Sequence, residues 1–210
     1  MKLAIVAATV CLVNAAPQWQ LTFEDNFDGD SLDSSKWTVL DKESHCCPQE
    51  LEVYVKEAIS VSDGFLTIRT DRAAAPVPDA GGRLFNYTSG WFDSKGKFSQ
   101  KWGKFQANMS LPARSYSGIW PAFWLMPDST QCWPTGGEVD IMEFVANPLG
   151  DTADRVWGSY HWQRNQSACG IDLEPIPGAP WPPLTKSIEK DWQTDFHVRP
   201  CPGVAAVLRN

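Results

Sequence analysis

The segment Gly136-Gly137-Glu138-Val139-Asp140-Ile141-Met142-Glu143-Phe144 sets three carboxylates into a stretch that otherwise has the make-up of a buried β-strand. Val139, Ile141, Met142 and Phe144 argue for a central strand, whereas ordinary solvated acids favour edges and turns. Glu138 and Asp140 are two apart and therefore project from one face, with Val139 and Ile141 on the other. Glu143 lies five residues from Glu138 and would fall on the wrong face of a regular strand. One extra residue at Ile141-Met142, a β-bulge, returns it to the acidic side. All three carboxylates then share one surface.

With the bulge absorbed, the two glutamates stand about four strand steps apart, roughly 13 Å between Cα atoms. Side chains that lean toward each other bring the carboxyl groups near the ~5 Å separation of a double displacement at an anomeric carbon. One carboxylate attacks; the other protonates the leaving oxygen and then activates water. Asp140, between them, disfavours ionisation of a neighbouring glutamate and helps keep the acid protonated. Two other readings compete. Acidic triplets are common on solvated strand faces, and carboxylates also bind calcium or magnesium. No histidine or second acidic cluster adjoins the triplet in sequence to complete a metal site, so none is expected there.

The neighbouring segments are rich in tryptophan, of which the chain has 11. In Gly118-Ile119-Trp120-Pro121-Ala122-Phe123-Trp124-Leu125-Met126-Pro127, Trp120, Ala122 and Trp124 share one face, with Phe123 and Leu125 on the other. Trp133 precedes the acids; Trp157, His161 and Trp162 follow them. Flat apolar sugar faces stack on indoles, although any single tryptophan is more often core than platform.

On these residues the chain resembles glycoside hydrolase family 16, which includes endo-β-1,3-glucanases (laminarinases) and β-1,3-1,4-glucanases. The resemblance runs from about Phe23 to His197. It rests on Phe23-Glu24-Asp25-Asn26-Phe27-Asp28-Gly29, Glu50-Leu51-Glu52-Val53-Tyr54, Ser89-Gly90-Trp91, Trp102-Gly103-Lys104-Phe105, the Trp120 to Leu125 block and the Glu-x-Asp-x-x-Glu signature. That signature, with its extra residue, is similar to the laminarinase branch. The resemblance implies an all-β jelly-roll sandwich of two curved antiparallel sheets, concanavalin-like, with a groove across the concave one. It implies Glu138 as nucleophile, Asp140 as assisting acid and Glu143 as general acid/base. Trp120, Trp124, Trp133 and His161 resemble cleft residues around the cleaved sugar. The implied partner is a β-glucan polysaccharide and the implied state a monomer. No cofactor is expected, although the family analogy admits a structural calcium on the convex face.

Other stretches fit an all-β reading. Residues 51–55, 65–70, 105–111 and 119–126 read as strands between turns rich in Gly, Pro, Asp and Ser, while 73–78 and 175–183 read as extended loops, the first a tolerated insertion. Residues 1–15 read as a signal peptide, with Lys2, an apolar run and cleavage after Ala15. The product is therefore expected to be secreted. Removing Lys2 from the 18 basic residues leaves 17 against 25 acidic, a net charge of −8 that argues against nucleic acid and anionic membranes as partners. Beyond Cys11 of the leader stand Cys46, Cys47, Cys132, Cys169 and Cys201, an odd number in an oxidising compartment. Cys132 with Cys169 is the expected pair, although sequence does not fix connectivity. Their spacing lacks the paired ligands of a zinc site. Asn86, Asn108 and Asn165 head glycosylation sequons.

The chain departs from the family pattern in three places. Trp91 stands where relatives often carry arginine, and Gln49 where asparagine is common. Beyond Asp195-Phe196-His197-Val198 the resemblance stops, and Arg199-Pro200-Cys201-Pro202-Gly203 leads to Asn210. The expected organisation is a leader at 1–15, a partial family domain at 16–198 and a divergent tail at 199–210. Removing 15 of 210 residues leaves 195, against the roughly 200 to 250 common for such sandwiches. C-terminal strands are therefore expected to be missing, which makes a poorly stable or inactive product one alternative. A non-catalytic β-glucan-binding protein is a second, disfavoured by the retained Glu138 and Glu143. A structural or transglycosylating wall protein is a third.

Overall fold

The computed structural model describes residues 19–44, 50–112, 118–129, 131–144, 155–162, 186–187, 197–205 and 207–208. In chain order the strands are β1 (Glu24–Asp25), β2 (Thr38–Val39), β3 (Glu52–Tyr54), β4 (Ile59–Ser62), β5 (Phe65–Ile68), β6 (Asp71–Pro78), β7 (Leu84–Ser89) and β8 (Phe92–Asp93). They continue with β9 (Lys104–Met109), β10 (Ala122–Leu125), β11 (Glu138–Phe144), β12 (Arg155–His161), β13 (Lys186–Ser187), β14 (His197–Ala205) and β15 (Val207–Leu208). A single 3-10 turn, Lys56–Ala58, is the one helical element among the described residues. The fold is all-β.

Two four-stranded sheets dominate, in the orders β1-β15-β9-β14 and β10-β11-β12-β13. The pairings β10–β11, β11–β12, β12–β13 and β9–β14 are antiparallel, while β15 runs parallel to both β1 and β9. A smaller sheet, β3-β7-β6, and the pairs β2–β8 and β4–β5 complete the framework. The β4–β5 hairpin turns on Asp63-Gly64, both at positive φ (55° and 79°), as a two-residue primed turn requires.

The two large sheets meet through apolar side chains. Phe105 of β9 packs with Ile141 of β11, joined by Phe123, Leu125 and Val139. Beside this, Leu111, Met142, Phe144 and Val156 form a second cluster that Met109, Ile119 and Phe123 cover. A third cluster, Val53, Val55, Ala58 and Phe85 with Val77, holds β3, β6 and β7 together. Strand β11 supplies buried residues to both clusters, and Phe123 of β10 packs against both.

The segment 73–78, expected to be a loop, is instead part of β6. It pairs antiparallel with β7, but with a break in register between Arg72 and Val77, after which Val77 faces Phe85 and Pro78 faces Leu84. The prolines hid this strand from a composition-based reading. They are accommodated because, among the described residues, β6 is the outer strand of its sheet and need not donate on its other side. The same holds for Pro200 and Pro202: among the described residues β14 occupies an edge, and its pairing with β9 breaks between Pro200 and Ala205.

Met142 is among the largest side chains that are fully buried. Its truncation to alanine is expected to lower the unfolding free energy by about 2–5 kcal/mol, and Met142→Leu, which conserves volume, by less than about 1.5 kcal/mol. Urea titration followed by tryptophan fluorescence measures both; equal and small effects would show that β11 is not buried as described.

Candidate active site

The bulge expected at Ile141-Met142 is present. Against β10, Trp124 pairs with Asp140 and Phe123 with Met142, so Ile141 is passed over. Against β12, Asp140 pairs with Ser159 and Glu143 with Trp157, leaving Ile141 and Met142 opposite Gly158 alone. Two consecutive side chains, Ile141 and Met142, consequently enter the core, and Glu143 returns to the face of Glu138 and Asp140. The backbone approach at this point is close: a Cβ on Gly158 would lie 3.3 Å from the Asp140 carbonyl oxygen. Gly137, at φ 84°, turns the chain into β11, in a position that L side chains rarely adopt.

Each carboxylate has its own neighbours. The indole N–H of Trp133 donates to Glu138 Oε2. Trp120 Nε1 donates to Glu143 Oε1 at 3.1 Å, and Ser159 Oγ to Glu143 Oε2 at 3.2 Å. Nε2 of His161 comes within 2.9 Å of Asp140 Oδ2, although no aligned hydrogen bond reaches that oxygen, so the contact is an electrostatic approach. His161 and Ser159 sit directly across from Glu138 and Asp140, yet each side chain touches the acid one pair further along β11. Diagonal contacts of this kind are within reach of side chains on a twisted sheet.

Burial sets the electrostatics. Asp140 is buried, at 5 % relative exposure, and both glutamates are partly buried. Burial pushes Glu138 up to about 7, opposed by the Trp133 N–H and reinforced by the charge of Asp140. A hydrogen bond with Asp140 further favours the protonated form, while nearby His161 favours the ionised one. Burial also raises Glu143, and Asp140 adds to it; the hydrogen bonds from Ser159 and Trp120 pull the other way. Two carboxyls with raised affinity for protons therefore flank one buried acid.

The sequence-derived residues fall into three groups. Glu138, Asp140, Glu143, Trp120, Trp133 and His161 come together on the acidic face of β11. There Trp120 and Trp133 act as N–H donors to the glutamates, a role that their reading as stacking surfaces did not include. Trp133 also lies tilted against the His161 ring, with centroids 5.8 Å apart. Trp124 pairs with Asp140 on β10 and begins an aromatic row, packing edge-on against Trp91 at 5.0 Å, which in turn meets Tyr54 at 5.3 Å. Ser159 was not singled out from the sequence; its place two residues before His161 on an alternating strand was the available signal.

The remaining positions lie elsewhere. Asn86 is exposed on β7, whereas Asn108 lies on β9 with a buried side-chain oxygen. Asn165, Cys46, Cys47 and Cys169 lie outside the described residues, as do the leader and residues 175–183. Cys132 is disulfide-bonded. Among the described residues no group of three or more His, Cys, Asp and Glu is placed to hold a metal ion. Where acids do gather, near β1, Asp25 already accepts from Phe27 N–H at 2.9 Å and from Trp37 Nε1 at 2.8 Å, with Lys36 at 3.9 Å. Both carboxylate oxygens of Asp25 thus have a protein donor.

Comparison with known proteins agrees with this architecture. The chain is similar to a glucan endo-1,3-beta-glucosidase A1 of Niallia circulans, with 31% identity over 162 residues, which are 71% of this chain and 24% of that protein. It is 37% identical over 155 residues to a beta-glucanase of Rhodothermus marinus, covering 70% of this chain and 49% of the relative. The chain thus spans between about a quarter and a half of the length of these relatives. Among solved structures, the laminarinase from Rhodothermus marinus superposes with a TM-score of 0.66 at 30% identity, over 89% of this chain and 68% of that one. Residues 48–198 match the model of Glycosyl hydrolases family 16, and the chain belongs to that family.

Proposed function

We propose that this protein is a secreted endo-β-glucanase that cleaves internal β-1,3 or mixed β-1,3-1,4 linkages with retention of configuration. The observation that carries the reading is the bulged strand β11, which sets Glu138, Asp140 and Glu143 on one face and buries the apolar residues between them. The similarity to a glucan endo-1,3-beta-glucosidase and to a beta-glucanase supports the substrate class.

In the first half-reaction, Glu138 in its ionised form attacks the anomeric carbon as the glycosidic C–O bond breaks. Glu143 gives its proton to the departing oxygen. In the second, Glu143 takes a proton from water, whose oxygen displaces Glu138 from the sugar. Glu143 ends protonated and Glu138 ionised, so the cycle closes. The positive charge that develops on the sugar favours the carboxylate form of Glu138, whereas burial and Asp140 disfavour it in the empty site. The interaction is thus stronger in the transition state than before it. Trp133 and His161 at the Glu138 end, with Trp120 and Trp124 beside Glu143 and Asp140, supply the walls for the sugar units.

Removal of the nucleophile tests the reading. Glu138→Gln is expected to reduce reducing-sugar release from laminarin by on the order of a thousandfold or more. A variant that keeps wild-type hydrolysis would refute the assignment, and one that keeps glucan binding alone would match it. Mass analysis of wild-type products separates hydrolysis, which yields shorter chains, from transfer, which yields rearranged ones.

The Glu138 titration has opposite consequences for rate and for stability. Attack needs the carboxylate, so kcat/KM is expected to rise with pH along an acid limb centred near 7. A limb at ordinary carboxylate values, about 4–5, would contradict the buried environment beside Asp140. Over the window from 4.5 to about 7 the folded state holds a proton that the unfolded chain has released, so stability falls as pH rises. Glu138→Gln, which mimics the protonated carboxyl, is therefore expected to melt above the wild type at pH 8 and together with it below pH 4.5. Parallel melting curves at both pH values would overturn this expectation.

A further inference from the structure

The two oxygens of Glu143 are held by donors of different kinds. Oε1 accepts from Trp120 Nε1 at 3.1 Å, and an indole nitrogen can only donate. Oε1 must therefore remain an acceptor in both protonation states, and a proton placed on it would confront the Trp120 N–H. Oε2 meets Ser159 Oγ at 3.2 Å, and a hydroxyl both donates and accepts by turning about its C–O bond. From this asymmetry, and resting on the role of Glu143 in the proposed glucanase reaction, we propose that Ser159 is a positioning residue that keeps the acidic proton of Glu143 on Oε2 and lets one side chain alternate between acid and base without changing its place.

The proton balance is simple. With Glu143 protonated, the hydrogen rides on Oε2 and the Ser159 hydroxyl turns its own hydrogen away. As the Oε2–H bond breaks and the proton passes to the departing glycosidic oxygen, the new carboxylate is met by Ser159 O–H at Oε2 and Trp120 N–H at Oε1. When water later gives its proton to Oε2, the hydroxyl turns back. Ser159 neither gains nor loses a proton over the cycle. The backbone supports the placement: Ser159 is paired with Asp140 beside the bulge, and Gly158 before it lies against the Asp140 carbonyl. Among the described residues, the titratable groups that act on Glu143 are Asp140 on its own strand and His161 on β12; β10 contributes Ala122 and Trp124, which do not titrate.

The test compares the wild-type chain with Ser159→Ala, Ser159→Thr and Glu143→Ala on two substrates. One is laminarin, whose leaving group needs a proton; the other is a dinitrophenyl oligo-β-glucoside, whose leaving group does not. Ser159→Ala is expected to lose about tenfold in kcat/KM on laminarin and little on the aryl glycoside. Its alkaline limb is expected at higher pH, because the ionised Glu143 has lost a donor. Ser159→Thr, which keeps the hydroxyl, restores both. Equal losses on the two substrates, an unmoved alkaline limb, or failure of threonine to restore would overturn the proposal. Glu143→Ala marks the underlying reading: if it shows no selective loss on laminarin, the acid/base assignment fails and the role of Ser159 with it. A selective loss there with wild-type behaviour in Ser159→Ala overturns the Ser159 proposal alone.

Discussion

The extra residue in β11 is the constraint on which the rest depends. A strand alternates its side chains strictly, and a shift of one position exchanges the two faces completely. By setting Ile141 and Met142 together against Gly158, the chain resets that alternation once, between Asp140 and Glu143. Sheet packing and acid placement are thereby decided by the same local irregularity. Strand β10 follows it by pairing Trp124 with Asp140 and Phe123 with Met142, and β12 follows it with a glycine where a side chain would crowd the carbonyl.

The electrostatic character of the site follows from that packing. Carboxyls are pushed toward their neutral forms where water is thin and like charges are near. Both conditions come from the core beneath β11 and from Asp140 between the glutamates, not from any exotic group. The hydrogen bonds from Trp133 to Glu138, and from Trp120 and Ser159 to Glu143, oppose that push. Opposed influences of this sort leave a carboxyl responsive to a charge that develops next to it.

Much of this was legible in the sequence because it is carried by short-range pattern. The bulge could be read from a spacing of five where four was needed, and the aromatic character of the cleft from Trp120, Trp124 and Trp133. What was not legible depended on partners distant in sequence. The donor role of Trp120 toward Glu143 spans 23 residues and that of Ser159 spans 16, so neither follows from local alternation. Strand β6 was missed for the opposite reason: its alanines and prolines argue locally against a strand, and an edge position in the sheet overrides them. Trp91, a departure from the family pattern, finds its place in an aromatic row with Tyr54 and Trp124.

The bulge also changes how densely a strand can anchor itself. Spaced as Glu-x-Asp-x-Glu, three acids would alternate regularly and already share one face, with a single apolar side chain between each neighbouring pair. In β11 the same acids are accompanied by Val139, Ile141, Met142 and Phe144 on the inner side, two of them at the irregularity. Loss of one residue from the 141–142 pair would therefore leave the acids facing the same way but withdraw a side chain from the interior. The number of residues between Asp140 and Glu143 is in this sense a property of the hydrophobic interior first, and insertions or deletions there are judged by packing volume before they are judged by reactivity.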